Sequence, residues 1–397
     1  MTLRDTPRRR PYIYIACPWT PVGGGMFKVA DYLIQSQAAT VDTRTMPPGA
    51  QLRPLDTRGA RGAAWSLGVL ALALCRLLRG RLDGRLAGVH VNMAERLSLV
   101  RKGVVIVACH ALGIPVVLHL HAAQLHRAWP TFPAGAQALV RWVFALPACC
   151  IVLGRQSAAF VQHELRVPAS RIEVVINGVP EPPRRVLAPR DAHDGPLRLL
   201  FVGNLSVRKG VPELLRALAL APLASMPLRL TLAGGGDLQA FRAIAAAMGL
   251  GDRVRFEGWA AQARVAQLMS ESDVLVLPSH DEGLPLVILE ALACGVPVVC
   301  TPVGEIPHVL RDGVHACFVA PGDVGGLART LAGLLAHRAQ RDTLARNGRA
   351  LYAQSFSLPR FFDHIAALHA RHFGVAGRRA AGLDVARAAG APQEAAA

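Results

Sequence analysis

The chain has 397 residues, of which 52% are hydrophobic and 18% charged, enough apolar side chains for the cores of two or three domains. Its formal net charge is +17, but only 5% of the residues are aromatic and no helix-turn-helix pattern is present, which argues against a nucleic-acid-binding protein. No apolar run reaches the roughly 20 residues of a membrane span. Because the amino terminus lacks the apolar core of a signal peptide and the eight cysteines show no C-x-x-C or metal-type spacing, we expect a reduced, cytoplasmic protein.

The positive charge is concentrated in the first half of the chain. Residues 1–190 hold 24 Lys and Arg against 9 Asp and Glu, whereas residues 191–397 hold 20 against 18. A basic first half suits an anionic membrane surface or a phosphate-bearing substrate. One predicted helix, Ala64–Leu78, is apolar with arginines on both flanks. It fits a helix on a membrane surface as well as a helix packed on a sheet with solvated arginines.

Strand-like and helix-like segments alternate along the whole chain. In the first half the predicted strands are Tyr12–Ala16, Ala87–Val91, Ile114–Leu120, Cys149–Leu153 and Ile172–Ile176, and the other predicted helices are Met26–Ser36, Leu97–Leu112, Leu139–Leu146 and Arg155–Leu165. The second half continues with strands Leu197–Val202, Leu228–Ala233, Val254–Gly258, Val274–Leu277, Val296–Val299 and Cys317–Val319, with helices between and after them. This alternation predicts an α/β protein with two doubly wound parallel sheets.

Two loops have the composition of anion-binding sites. The first, CPWTPVGGG, ends with Gly24 and Gly25 and precedes a helix, an arrangement that binds phosphate but also fits a plain tight turn. The second, residues 203–210, reads GNLSVRKG and places Arg208 and Lys209 before the next helix.

The end of one strand carries two histidines on one face. His119 and His121 are two positions apart, and alternate side chains share a face of a strand. A zinc site is disfavoured because no carboxylate lies nearby. We therefore predict no metal and no cofactor.

Residues 274–299, VLVLPSHDEGLPLVILEALACGVPVV, form the most informative stretch. Pro285 and Gly295 are typical of the start and end of a helix. Glu282 precedes this helix and Glu290 lies within it, offset by about 80° at 3.6 residues per turn. Both can therefore face one cleft at the carboxyl ends of the strands. The alternative, an acidic cap and a solvated Glu290, fits Glu290 poorly because its neighbours are apolar.

This block resembles the signature of retaining glycosyltransferases of family 4. The similarity extends beyond the two glutamates to Pro278, Ser279, Gly283, Pro285, Ala291, Gly295 and Pro297. The resemblance implies the GT-B fold, in which two Rossmann-like domains face a cleft and a carboxy-terminal helix crosses back. On this basis we divide the chain into an acceptor domain (1–185), a nucleotide-sugar domain (186–356), the returning helix (357–374) and a tail expected to be disordered (375–397).

The resemblance also implies roles for individual residues. His121, Lys209 and Glu282 are the predicted catalytic residues, with His121 and Glu282 on the transferred hexose and Lys209 on the diphosphate. Glu290 would hold the ribose, while Gly24, Gly25, Gly283 and Leu284 complete the donor site. Asn204 stands where the family usually has an arginine, so we expect Arg208 to supply the second positive charge.

The acceptor site is implied by a similar Ser and Arg-Lys in related exopolysaccharide enzymes. The corresponding residues are Ser98, Arg101 and Lys102; a helix start with surface charges is the alternative.

The expected function is retaining transfer of a hexose from GDP-mannose or a UDP-hexose to a glycan. That acceptor would be polyprenyl-diphosphate-linked, at the inner face of the plasma membrane, in cell-surface polysaccharide synthesis. Two alternatives stay open, a soluble small-molecule acceptor and a non-catalytic sugar-nucleotide-binding scaffold. An NAD enzyme is disfavoured because the glycine fingerprint is missing.

Overall fold

The computed structural model describes residues 10–19, 24–39, 50–122, 124–183 and 195–375. The predicted boundary at 185/186, residues 376–397 of the predicted tail and residues 20–23 of the first glycine loop lie outside the described residues.

The first half of the chain forms a six-stranded parallel sheet in the order β2-β1-β3-β4-β5-β6. Most of its strands are continuous apolar runs, as expected for a sheet covered by helices on both faces. The strands are β1 (Tyr12–Cys17), β2 (Gln51–Asp56), β3 (Leu86–Met93), β4 (Val116–Leu120), β5 (Cys149–Val152) and β6 (Ile172–Val174). The helices are α1 (Gly25–Ala39), α2 (Ala63–Leu82), α3 (Leu97–Ala111), α4 (Leu125–Ala128), α5 (Ala134–Ala145) and α6 (Arg155–His163).

The second half repeats this architecture with the strand order β12-β11-β10-β7-β8-β9. Its strands, again parallel, are β7 (Leu197–Val202), β8 (Leu228–Ala233), β9 (Val254–Gly258), β10 (Val274–Leu277), β11 (Val298–Cys300) and β12 (Cys317–Phe318). Its helices are α7 (Val211–Ala219), α8 (Leu238–Ala247), α9 (Gln262–Ser270), α10 (Leu286–Ala293), α11 (Ile306–Val309), α12 (Val324–Ala336) and α13 (Arg338–Ser355). The predicted pair of doubly wound parallel sheets is confirmed.

A last helix, α14 (Leu358–Phe373), returns to the first domain. Just before α14, the Phe356 carbonyl accepts a hydrogen bond of 2.9 Å from the Val179 amide of the first half of the chain. At its end the Phe373 ring lies against Gly88 of β3, where any side chain would collide with the ring. The side chains of α1 and α14 join the inner face of the first sheet to the core of the second domain. The predicted crossing helix is therefore confirmed.

One strand was not predicted. β2 reads QLRPLD, with little apolar character and a proline in its middle. Proline removes one hydrogen-bond donor from a strand, which is tolerated at the edge of a sheet. β2 occupies that edge and pairs with β1 alone. Its pairing with β1 therefore defines it as a strand, although its own sequence does not predict one.

Candidate active site between the domains

A cleft separates the carboxyl ends of the strands of the two domains. The first domain contributes the residues after β4 and the start of α6, and the second contributes the loops before α10 and α11. The side chains and backbone that line it are Leu120, His121, Ala122, His126, Leu153, Gln156, Ser157, Phe160, Glu282, Gly283, Gly304 and Glu305. Two residues predicted from distant parts of the sequence, His121 and Glu282, thus face the same space.

Glu282 is buried and held by residues of its own domain. Its carboxylate forms an ion pair with the Lys209 ammonium and accepts a hydrogen bond of 2.7 Å from the Ser279 hydroxyl. Gly304, with a left-handed φ of 59°, packs so closely on the Glu282 carbonyl that a side chain would collide with it. This glycine lets the loop after β11 approach the loop that carries Glu282.

The basic loop after β7 runs directly beside the loop after β10. The Arg208 guanidinium donates to the Asp281 carbonyl at 2.7 Å and lies 4.0 Å from the Glu282 carboxylate. The His280 amide in turn donates to the Arg208 carbonyl at 2.8 Å. Asn204 is exposed and lies near Gly235. The loop therefore offers Lys209 and Arg208 as cations beside Glu282, while the Asn204 position offers a neutral amide.

Glu290 lies on the face of α10 that meets the first domain. Its carboxylate is 3.2 Å from the ammonium of Lys28, which lies in the first turn of α1. The same helix start brings Gly25 into contact with the Leu286 side chain. One turn further along α1, the Tyr32 hydroxyl accepts a hydrogen bond from Gln262 of α9. The predicted helix starts at Gly25 and Leu286 therefore meet across the domain boundary.

His121 follows β4 and is fixed by two bonds to the end of β3. Its backbone amide donates to the Met93 carbonyl at 2.7 Å, and its Nε2 lies 2.9 Å from the Asn92 amide oxygen. Because that oxygen only accepts, Nε2 carries the proton. Burial lowers the pKa of His121 to about 3, with the nearby His90 adding to the effect. His121 is therefore a neutral imidazole at physiological pH.

The three acceptor candidates lie on α3 and are not among the residues that line the cleft. The Lys102 ammonium is fully buried and donates to the Thr57 hydroxyl. Desolvation lowers its pKa to about 7. Ser98 is buried and accepts from the Ala94 amide at 3.2 Å, and Arg101 is half-buried. A role for these residues in acceptor binding stays a prediction. The Lys102 side chain lies in the interior of the first domain.

Glu305 is a site residue that the sequence reasoning missed. It is 1% exposed, and its carboxylate accepts from the Ser157 amide and hydroxyl, both at 2.7 Å, and from the Gln156 amide at 3.3 Å. A carboxylate of the second domain thus caps α6 of the first, where the helix dipole favours negative charge. Gly154 makes room for it, since a side chain there would collide with Glu305.

Two further cross-domain cations were missed. Lys28 binds Glu290, and Arg127 of α4 lies 3.6 Å from the Asp281 carboxylate. A usable signal existed for Lys28: the chain has only three lysines among 44 basic residues. All three bind a specific side chain, as the pairs of Lys102 with Thr57 and of Lys209 with Glu282 also show. Arginine is common in this sequence, so no such signal singles out Arg127.

Among the described ranges no group of three or more His, Cys, Asp and Glu side chains is placed to hold a metal ion. The paired histidines instead belong to a buried cluster. His90 Nδ1 lies 2.9 Å from His369 Nε2, and His90 Nε2 lies 3.3 Å from His119 Nδ1. The His119 and His121 rings lie side by side with their centroids 4.0 Å apart and their planes tilted by 34°. The cluster connects α14 to the cleft.

Comparison with solved structures identifies the architecture as GT-B. Sucrose-phosphate synthase from Thermosynechococcus elongatus aligns with a TM-score of 0.73 at 21% identity, covering 91% of this chain and 99% of that one. Anabaena HepE, solved in complex with UDP and glucose, aligns with a TM-score of 0.69 at 19% identity over 90% of this chain and 99% of its own. These identities establish the shared fold.

The family model described as glycosyl transferases group 1 matches residues 187–351. The amylovoran biosynthesis glycosyltransferase AmsK of Erwinia amylovora is 33% identical over 180 residues, 43% of this chain and 44% of that protein. The glycogen synthase of Mycobacterium tuberculosis (strain H37Rv) is 30% identical over 248 residues, 61% of this chain and 60% of its own. The chain thus spans about half the length of these relatives. The 2-deoxystreptamine glucosyltransferase of Streptomyces kanamyceticus is 28% identical over 76% of this chain and 80% of its own.

Proposed function

We propose that this protein is a retaining glycosyltransferase that moves a hexose from a nucleotide diphosphate sugar to a hydroxyl of a glycan acceptor. One observation carries the proposal: Glu282, which is paired with Lys209, lines the same cleft as His121 of the other domain. A cation, a buried carboxylate and a neutral imidazole are thereby presented to one ligand. The match of residues 187–351 to glycosyl transferases group 1 supports the same activity.

The chemistry requires stabilisation of the negative charge that develops on the leaving diphosphate. We assign this role to Lys209 and Arg208, which lie beside Glu282, together with the amide groups at the starts of α1 and α10. Glu282 would accept hydrogen bonds from hexose hydroxyls and Glu290 from the ribose. No metal enters the proposal, and the donor is a substrate, so no cofactor is assigned.

His121 is assigned to the hexose from the opposite side. Since Asn92 holds the proton on Nε2, the other ring nitrogen, Nδ1, is an acceptor for a sugar hydroxyl. We assign no enzyme nucleophile. In a retaining reaction on one face of the sugar, the acceptor hydroxyl attacks beside the leaving diphosphate. Residues of both domains must then surround the sugar, as His121 and Glu282 do.

The proposed acceptor is a polyprenyl-diphosphate-linked glycan in cell-surface polysaccharide synthesis. Similarity to the amylovoran biosynthesis glycosyltransferase AmsK supports this assignment. A soluble acceptor is the second candidate, because the 2-deoxystreptamine glucosyltransferase aligns over more of its length. A non-catalytic nucleotide-sugar-binding scaffold is the outcome if donor binds without being turned over.

We expect one nucleotide diphosphate sugar to raise the melting temperature of the protein. A ligand that binds only the folded state adds about 2.7 kcal/mol at 100 times its Kd. The measurement is a thermal-shift panel of UDP-, GDP- and ADP-sugars, with Lys209→Ala as the control that should lose the shift. If no member of the panel stabilises the wild type, the proposed donor site is wrong.

The membrane contact of the proposal rests on the outer face of α2. Trp65 is 53% and Leu72 51% exposed, and Arg76 and Arg79 continue the same stripe at helical spacing. Apolar and basic side chains on one exposed face suit an anionic lipid surface. No helix within the described residues is long and apolar enough to cross a membrane, so the proposed association is peripheral.

This contact predicts flotation with vesicles that contain anionic lipid. The bound fraction should fall as salt screens the arginines, with a Debye length of about 10 Å at 0.1 M. Replacing Arg61, Arg76 and Arg79 with glutamine should lower binding, whereas the matched change of the exposed Arg229, Arg329 and Arg346 of the second domain should not. Equal flotation of both triple variants would contradict the assignment of this face.

A further inference from the structure

The ion pair between Lys28 and Glu290 joins α1 of the first domain to α10 of the second. The Lys28 side chain is 31% exposed and that of Glu290 11%, and their charged atoms are 3.2 Å apart. Glu290 lies on a helix whose neighbouring positions, Ile288, Leu289 and Ala291, are fully buried. A carboxylate in such surroundings needs a partner, and Lys28 supplies it.

The same pair stands in the way of the ligand assigned to Glu290. The Lys28 ammonium occupies Oε1 of Glu290, so a ribose whose hydroxyls bind both carboxylate oxygens would compete with Lys28 and displace it. The displaced ammonium then lies in a partly desolvated cleft without its counter-charge, which is unfavourable unless the ligand brings an anion. In a nucleoside diphosphate that anion is attached to the ribose itself.

The other lysine of the cleft is held in the same way. Lys209 is paired with Glu282, the carboxylate assigned to the hexose. Donor binding would exchange partners at both pairs, so that hydroxyl groups go to the carboxylates and phosphate oxygens to the ammonium groups. The Asn204 position supplies no positive charge to the diphosphate, which leaves a place for a cation from the first domain.

We propose that Lys28 is a specificity-determining residue of the donor site, which exchanges Glu290 for the donor's phosphates. This inference rests on the proposed function. The position of Lys28 supports it: α1 starts at Gly25, where an added Cβ would touch Leu286, and Lys28 in its first turn reaches Glu290 of α10. The exchange makes the site accept ligands that bring a diol and a phosphate together, and disfavour ligands that bring the diol alone.

The test compares a nucleoside diphosphate with its nucleoside. The nucleoside diphosphate is whichever of UDP, GDP and ADP binds the wild type, and its affinity is measured by calorimetry. The affinity of the corresponding nucleoside is measured by ligand-observed NMR. Lys28→Met removes the charge and keeps the length of the side chain. It should weaken the diphosphate about 10- to 100-fold, as expected for one lost charged hydrogen bond. Binding of the nucleoside should stay equal or become tighter, because Glu290 is released.

Two variants control for a merely structural effect. Lys28→Arg keeps the charge and should restore most of the preference for the diphosphate. Tyr32→Phe removes another cross-domain contact of α1, the bond to Gln262, without removing a charge, and should not change the ratio of the two affinities. A Lys28→Met variant that weakens both ligands equally, or neither, would overturn this inference alone. If the wild type binds none of the three diphosphates, the proposed function fails as well.

Discussion

Replacing Lys209 with methionine is expected to lower kcat/KM for cleavage of the donor by about 10²- to 10³-fold, the usual effect of removing one group that stabilises a developing oxyanion. The Lys209 ammonium is partly buried, so its charge acts through a medium that screens it weakly. Arg208 cannot fully replace it, because that side chain is 41% exposed and already donates to the Asp281 carbonyl. The assay is release of nucleoside diphosphate from the donor that stabilises the protein.

The controls separate lost charge from lost structure. Lys209→Met leaves the buried Glu282 with the Ser279 hydroxyl as its remaining close partner, so the variant also loses stability. The double change Lys209→Met with Glu282→Gln removes that penalty and should recover stability without activity. Arg208→Met should have the smaller effect of the two cations. Turnover that survives in Lys209→Met, or that returns in the double variant, would contradict the assigned role.

The fold was predictable because its signals are local. Each strand and helix of a doubly wound sheet carries its own apolar pattern, and the order of the elements restricts the topology. The block around Glu282 and Glu290 was predictable for the same reason, since the helix start, the two carboxylates and the closing Gly295 lie within 26 consecutive residues. Strand β2 was not predicted, because Arg53 and Pro54 interrupt any apolar pattern in its sequence.

The contacts between the domains were not predictable, because they join residues far apart in the chain. Ser157 and Glu305 are 148 positions apart, and Lys28 and Glu290 are 262 apart. A glutamate in the loop TPVGEI reads as a surface residue until the sheet order places it over the start of α6. Spacing along the sequence does not show which surface of the other domain a given residue will face.

The histidine cluster mixes both cases. The shared face of His119 and His121 follows from the strand period of two. His90 comes from the neighbouring strand β3, where it pairs with Val117, two positions before His119. His369 arrives on α14 from the end of the chain. From the sequence a zinc site was disfavoured and the family resemblance assigned only His121 a role, at the donor sugar; the structure adds that His90, His119 and His369 form a buried network.

That network predicts a loss of stability in mild acid. Burial lowers the pKa of His90 from its ordinary value to about 3, and it lowers the pKa values of His119 and His369 well below theirs. In the unfolded chain each ring takes up a proton near pH 6.5. Between these values the unfolded state binds more protons than the folded state, so stability falls as the pH decreases through 6.5. His90 alone should cost about 2 kcal/mol between pH 7 and pH 5.

The hydrogen bonds explain why the cluster stays neutral. A neutral imidazole has one donor and one acceptor, so His369, His90 and His119 can form a continuous chain in which each ring nitrogen between neighbours is matched. A second proton on His90 would set two N–H groups against each other at one of its two contacts, and among the described residues no carboxylate acts on His90 itself. The groups around the cluster include His121, Asn92 and Phe361, with His372 and the Arg371–Glu173 ion pair further along α14. Protonation of His90 would therefore favour the unfolded state.

The opening should begin at α14, because His369 is its link to the cluster and Phe373 its last apolar contact on Gly88. Hydrogen exchange of the amides of α14, corrected for the intrinsic effect of pH, measures this opening without assuming that both domains unfold together. We expect the opening free energy of α14 to fall between pH 7 and pH 5 with a slope of at least one proton, about 1.4 kcal/mol per pH unit. His90→Gln, which can still donate and accept, should reduce the slope by up to one proton. His110→Gln, on the exposed end of α3, should leave it unchanged. An α14 that opens with no dependence on pH in this range would show that the buried rings already carry protons in the folded state.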